Sequence, residues 1–478
     1  MEFKYDIENV LKYFYKISEI PRMSGKEEKI ADYIVDFAIE RNFEYIRDKY
    51  NNVIIIKEAN RWENKDESIM LQSHLDMVCE KEENSEHNFE AEGIDLYIED
   101  DFLKAKGTTL GADNGIGIAI ILSILDSKTI KHPRIEAIFT VQEESTMEGA
   151  KKIDISMLHS KKMISLDNMN EEELWIGCAG AKIFEYTIKG NIENNVNDKS
   201  LLKIELRGFL GGHSGKDISK KRGNPIEEMG KILKILDKKY NILLKNIYGG
   251  RKVNVIPREC CCELYVEKKD IKKIKQAIKE LNKRMQSNFE SAEILINELN
   301  DIDSNIYFCS ETTKEIIKII NYIPNGVYYM DKYENPLVSL NLGRIENTDE
   351  NIKLSFSIRS NRREIELILI NKLKQIVKKF NIQANESELS GYEHKVRSDF
   401  IDECKDTYKR CFNREPKVID MHICLEAGFF GMKKKDLDFI AIAPNIYDAH
   451  SPKERCSISS LKKIYKYVII ILENLKNI

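Results

Sequence analysis

Apolar residues between about Ile7 and Phe43 predict two helices, with a break at Pro21 to Gly25. Ser24 stands where it could cap the second helix, with Glu27 and Glu28 in its first turn. Short apolar runs follow at Val53 to Ile56, Ser68 to Gln72, Ile135 to Val141 and Met163 to Leu166, and each predicts a buried strand. Gly115 to Leu125 is apolar on every side and predicts a buried helix. Strands alternating with helices predict an α/β layer, a mixed and largely parallel sheet flanked by helices.

The texture changes after about Ala181. Ile183 to Lys189 and Ser200 to Arg207 alternate as half-exposed strands do, and Pro225 to Lys239 has an amphipathic helical pattern. Lys252 to Ile256 and Cys260 to Val266 predict strands, and Lys269 to Met285 a helix; such signals recur through Ile382. This block predicts an α+β domain inserted into the first. After about Gly391 the earlier pattern resumes, with a helix from Asp399 to Arg414, a strand at Phe439 to Ala443 and a helix from Ser459 to Leu475. The division is therefore 1–182, 183–388 and 389–478, with outer segments forming one domain and the middle forming another.

Composition narrows the function classes. The chain has 478 residues, 42% hydrophobic and 32% charged, as in an ordinary globular protein. A net charge of -4 argues against nucleic acid, which favours a basic face. No stretch approaches the roughly 18 apolar residues needed to cross a bilayer. The first residues, Met1 to Asp6, lack the basic and apolar regions of a signal peptide. The ten cysteines form no framework, and consecutive Cys260, Cys261 and Cys262 point to alternating faces of a strand. Reduced thiols in a cytoplasmic protein are expected.

The candidate chemistry sits in five segments: Ser73-His74-Leu75-Asp76, Thr109 to Gly115, Gln142-Glu143-Glu144-Ser145, Ser165-Leu166-Asp167-Asn168 and Tyr447 to Pro452. Four of them follow an apolar strand directly, and ligands of open α/β sheets bind beyond the carboxyl ends of strands. Imidazole and carboxylate suit zinc, and two histidines with three or four carboxylates would hold a pair of metals about 3.5–4 Å apart. Adjacent Glu143 and Glu144 diverge at a strand end, so one can bind metal while the other acts as base. Asp76, two residues after His74, can accept its second ring N–H. Taken singly, each segment has a plainer reading: a structural histidine, a solvated Glu pair, an Asp-Asn-Gly turn, or a flexible loop at Gly211 to Gly215. Their joint order after buried strands favours a two-metal hydrolase.

These segments resemble the aminoacylhistidine (Xaa-His) or cytosolic non-specific dipeptidases, in a clan of two-zinc peptidases and deacylases. The resemblance spans nearly the whole chain. It is carried by Leu71 to Val78, Gly107 to Gly115, Gln142-Glu143-Glu144, Leu166-Asp167, Ile176 to Gly180, Gly211-Gly212-His213-Ser214-Gly215, Asn254 to Glu259 and Ala449-His450-Ser451-Pro452. It implies a zinc-peptidase catalytic domain with an inserted lid, acting on small peptides with two Zn2+ per chain; Mn2+ or Co2+ would also be accepted. His74 and Asp167 would hold one zinc, Glu144 and His450 the other, and Asp113 would bridge them from a strained peptide before Asn114. Glu143 would be general base and Asp76 would orient His74. His213 would stabilise the oxyanion with help from Asn254, and Arg359 would bind the substrate carboxylate. Glu426 matches a site position without a defined role. The long lid implies that a monomer would be competent, as would a homodimer. Departures stand at Glu393-His394-Lys395, at Ala427 and at Ala443, and bear on substrate preference rather than chemistry. The same residues would also serve an N-acyl amino acid deacylase, a tripeptidase, or a metal-binding scaffold without activity.

Overall fold

The structure, a computed structural model, describes residues 6–62, 67–299, 306–332, 334–348, 350–389, 391 and 398–475. The departure at Glu393-His394-Lys395 lies outside them. The chain divides into two compact units. The first comprises Met1–Cys178, Gly391–Met421 and Leu425–Ile478; the second comprises Ala179–Ser390 and His422–Cys424.

The first unit is built on an eight-stranded sheet. Its strand order is Glu44–Arg47, Val53–Lys57, Arg134–Thr140, Ser68–His74, Lys162–Ser165, Asp438–Ala441, Glu173–Cys178 and Lys417–Met421. The four central strands run parallel, and so does the outermost pair. Antiparallel pairing is confined to the two strands on one flank and to the junction of Asp438–Ala441 with Glu173–Cys178. The mixed, largely parallel α/β sheet is the expected one. Every residue of Ser68–His74 is buried, which is why that strand reads as a continuous run rather than an alternation. Helix Ala112–Asp126 is buried from Ala112 to Leu125, and each fully buried Ile or Leu stabilises by about 1.5–3 kcal/mol over exposure.

Helices Glu8–Ser18 and Glu28–Glu40 match the two expected at the start, but the cap is different. Glu27 occupies the N-cap position with no side-chain cap, and the Ser24 hydroxyl donates to Asp76 Oδ2 at 2.6 Å. A buried carboxylate is the stronger acceptor, so Ser24 serves the loop after His74 instead of the helix. Helix Asp399–Phe412 stops two residues earlier than the pattern suggested, because Asn413 takes a left-handed φ of 54°.

The described strands of the second unit pair antiparallel. Its main path of strands runs Glu293–Leu299, Lys199–Arg207, Cys260–Glu267, Ile242–Gly249, Pro336–Thr348, Asn351–Ser360, Gly180–Lys189 and Gln383–Leu389, with Gly326–Met330 beside Pro336–Thr348. Helices Pro225–Asp237, Ile271–Asn288, Ser310–Tyr322 and Arg363–Phe380 contribute to its core. Pro225–Asp237 starts as its sequence directs: Asn224 accepts from Ile226 N at 3.0 Å, and Pro225 stands just inside. The strand Ile242–Gly249 was missed by the periodicity. It bulges between Leu244 and Asn246, which breaks the alternation that would have marked it. All ten cysteines are free thiols. No helix among the described residues is long and apolar enough to cross a membrane.

Candidate metal centre and active site

Three neighbouring parallel strands deliver the first unit's site. His74 ends Ser68–His74, Glu143 and Glu144 follow Arg134–Thr140, and Asp167 follows Lys162–Ser165. Their carboxyl ends coincide, which is where an open sheet presents ligands. Asp113 joins them from the start of helix Ala112–Asp126, and His450 from the loop after Ile446–Tyr447.

Asp113 is the centre of the arrangement. Its Oδ1 lies 3.1 Å from His74 Nε2, and its Oδ2 lies 3.2 Å from His450 Nε2. Two triads share it. His74, Asp113 and Asp167 form one, Asp113, Glu144 and His450 the other, and in each the potential ligand atoms lie within 4.8 Å of one another. His74 also stands within that distance of Glu143 and Glu144. Glu144 Oε1 is buried and 2.9 Å from His450 Nε2, yet makes no aligned hydrogen bond, so a lone pair is available there. The Asp113–Asn114 peptide is cis. Asn114 Nδ2 donates to Leu166 O at 2.8 Å, and Ser73 Oγ donates to Asn114 Oδ1, tying the Asp113 segment to the strand ends beside it. Gly117 leaves room for this, since a Cβ there would stand 1.9 Å from Asn114 Oδ1.

Asp76 does more than the sequence suggested. His74 Nδ1 faces both its carbonyl, at 3.1 Å, and its Oδ1, at 3.3 Å. The carbonyl is the nearer acceptor, and the carboxylate adds charge. The same carboxylate accepts from Glu143 N at 3.0 Å and Glu144 N at 3.1 Å. One buried side chain thus orients a histidine and fixes the backbone of both glutamates.

The electrostatics fit cations. Burial disfavours an imidazolium at His74, but Asp113 and Asp76 outweigh it and hold its pKa well above 6.5. Asp113 and Glu144 push His450 up to about 10. Burial, then the two facing histidines acting the other way, leaves Asp113 well below the usual carboxylate range. Asp167 is pushed up to about 7 by burial and then by Asp113. Burial and then Asp167 raise Glu143 well above its ordinary value. So many buried acidic groups repel one another, and a divalent cation is the charge that relieves such repulsion. The donor set, imidazole and carboxylate without thiolate, fits two divalent ions sharing Asp113.

Glu426 is buried in the first unit. Its Oε2 accepts from Gln72 Nε2 and Thr140 Oγ1, both at 2.6 Å, and its Oε1 has no hydrogen-bond partner among the described residues. Burial raises its pKa to about 8, with Asp167 and Asp76 among the contributors.

His213, Asn254 and Arg359 belong to the second unit. His213 Nδ1 accepts from Gly215 N at 3.1 Å and Lys216 N at 3.2 Å, so its proton sits on Nε2. Burial and then Arg359 lower its pKa to about 4, which keeps the ring neutral. Asn254 accepts from Ser214 N through its backbone carbonyl, at 3.0 Å, and its side chain is exposed. Arg359 is buried; its Nε donates to Ser214 Oγ at 3.1 Å and its Nη1 to Cys424 Sγ. The sequence reading took Ser24 only for a helix cap and passed over Arg22 and Glu454. Each acts on backbone or a distant loop, and nothing in its neighbours along the chain marks it.

Residues 70–474 match the Peptidase family M20/M25/M40. The chain belongs to that family. Among the relatives of this M20 peptidase, the Cytosol non-specific dipeptidase of Escherichia coli (strain K12) is 30% identical over 470 residues, 97% of this chain and 96% of the relative. The crystal structure of Aminoacylhistidine Dipeptidase from Vibrio alginolyticus superposes with a TM-score of 0.90 at 29% identity, covering 97% of this chain and 96% of that one. A tripeptidase from Staphylococcus aureus shares the fold, with a TM-score of 0.61 at 13% identity over 98% of both chains.

Proposed function

We propose that this M20 peptidase is a two-metal dipeptidase. One observation carries the reading: the two oxygens of Asp113 are divided between His74 and His450, each with a further carboxylate at hand. The full-length likeness to two dipeptidases supports the substrate class. His74 and Asp167 would hold one ion, Glu144 and His450 the other, and Asp113 both. Zinc suits this set, as manganese or cobalt would. When bound, such ions supply a lowered water pKa and a polarised scissile carbonyl.

The residues do the rest. Glu143, on the strand end beside Glu144, takes the proton of the attacking water and returns it to the leaving amine. Asp76 keeps His74 in one tautomer and holds the Glu143–Glu144 backbone still, so base and ligand keep their separation. His213, neutral with its proton on Nε2, is assigned the hydrogen bond to the tetrahedral oxyanion, and Asn254 is assigned to assist it. Arg359 is assigned the substrate's terminal carboxylate, for which a guanidinium fork is shaped. Glu426 lies at the site as a buried acid bonded to Gln72 and Thr140. The second unit acts as the lid.

The test is hydrolysis of a dipeptide panel, with histidine-ending members, by metal-loaded wild type beside Glu143→Ala. Cleavage by wild type, lost in a variant that retains its metal, supports the reading. Turnover confined to tripeptides or N-acyl amino acids would replace the substrate assignment, and metal binding without any turnover would make the chain a scaffold.

A further inference from the structure

Glu454, 3% exposed, places its carboxylate against four successive backbone amides. Its Oε2 accepts from Leu110 N at 2.9 Å and Gly111 N at 3.0 Å, and its Oε1 from Ala112 N at 2.9 Å and Asp113 N at 3.3 Å. Arg22, 2% exposed, works from the other side. Its Nη1 donates to Leu75 O at 3.1 Å and Asp76 O at 2.9 Å, and its Nη2 to Gly111 O at 2.5 Å. The two glycines of this segment make space for the guanidinium: a Cβ at Gly111 would stand 2.5 Å from Arg22 Nη2, and one at Gly115 2.7 Å. Gly111 also holds a φ of +67°, which glycine adopts most readily.

These contacts are to backbone, and the backbone they hold is the one that carries the ligands. Leu75 and Asp76 follow His74, Leu110 to Asp113 lead to the shared carboxylate, and Glu454 lies four residues beyond His450. A buried acid and a buried guanidinium are an expensive way to start a helix. Elsewhere in this chain a neutral side chain suffices, as Ser457 does for Ile458–Asn474.

We propose that Glu454 and Arg22 are positioning residues that lock the Leu110–Asp113 backbone in register with the segments of His74 and His450, so that the two oxygens of Asp113 serve two metal ions at once. The proposal rests on the reading of Asp113 as the shared ligand. It predicts that loosening the pair weakens metal binding without touching a ligand.

The experiment uses Glu454→Gln in the full chain. Glutamine keeps the shape, but its amide nitrogen accepts nothing, so two of the four N–H groups lose their partner. Metal-stripped wild type and variant are titrated with Zn2+ against a chromophoric chelator. Co2+ absorption spectra and dipeptide kcat and KM are recorded alongside. The expected result is a metal ion bound about 10- to 100-fold more weakly, an altered Co2+ spectrum, and a lower kcat at unchanged KM that recovers with excess metal. Arg22→Lys should show the same signature, since one ammonium cannot span three carbonyls in a guanidinium's geometry, and it decides the matter if Glu454→Gln does not fold. Folded variants that bind two ions with wild-type affinity and spectrum, and lose only thermal stability, would overturn the proposal. Wild type that binds no pair of metals would overturn the two-metal reading itself, which is a different result.

Discussion

His74 and His213 set two regions of the molecule against each other. His74 is buried and His213 half-buried, and burial alone would lower both pKa values. At the strand ends of the first unit, carboxylates surround His74 and reverse that effect. In the short strand Gly212–His213 of the second unit, Arg359 and Lys216 reinforce it, and His213 is held near 4. The same side chain becomes a candidate metal ligand among acids and a fixed neutral hydrogen-bond donor among cations. Burial makes a histidine sensitive to its neighbours, and the sign of the neighbours' charge decides its chemistry.

The strongest way to sharpen this contrast is to remove the proposed base among the acids. Glu143→Gln should lower kcat by about 10²- to 10⁴-fold while both metal ions remain, which metal analysis beside steady-state kinetics would show. Loss of metal in that variant would mean that Glu143 is a ligand and that the division of labour with Glu144 is wrong. Next come the two histidines themselves. His213→Ala should cost about 10²- to 10³-fold in kcat at full metal content, whereas His74→Ala should release metal from the folded protein. Equal metal loss in both variants would collapse the distinction. A smaller effect is expected at Arg359. Arg359→Met should raise KM for dipeptides about 10- to 100-fold, with a much smaller effect on amide substrates that lack the terminal carboxylate. The least change is expected with pH. Because the folded pKa of His213 lies near 4, below its unfolded value, its contribution to stability is complete above about 6.5 and is lost as the pH falls through about 4. Between pH 8 and pH 6 its ring resonances should therefore not titrate, and a midpoint near 6.5 in an NMR titration would show that burial and the cations do not govern it.

Much of the fold was legible because burial on both faces leaves a plain mark. Val53–Lys57, Ser68–His74, Arg134–Thr140 and Lys162–Ser165 are apolar runs of strand length, and Ala112–Asp126 is too apolar to lie anywhere but inside. Ile242–Gly249 escaped because its bulge disrupts the period of two on which the reading depends. Ser24 was misplaced because a serine near a helix start carries the same signal whether it caps the helix or serves a distant carboxylate.

The sequence by itself determined most of the buried secondary elements, the fold class and the set of acids and histidines beyond the strands, because periodicity and residue chemistry are local properties. Only the tertiary structure decided that Asp113 faces two histidines with two oxygens, that Asp76 holds the backbone of Glu143 and Glu144, and that Glu454 meets four amides. Backbone N–H and C=O groups are the same at every residue but proline, so a side chain that binds them has no partner legible in the sequence. The chain must fold before Arg22 and Glu454 become anything other than ordinary charges.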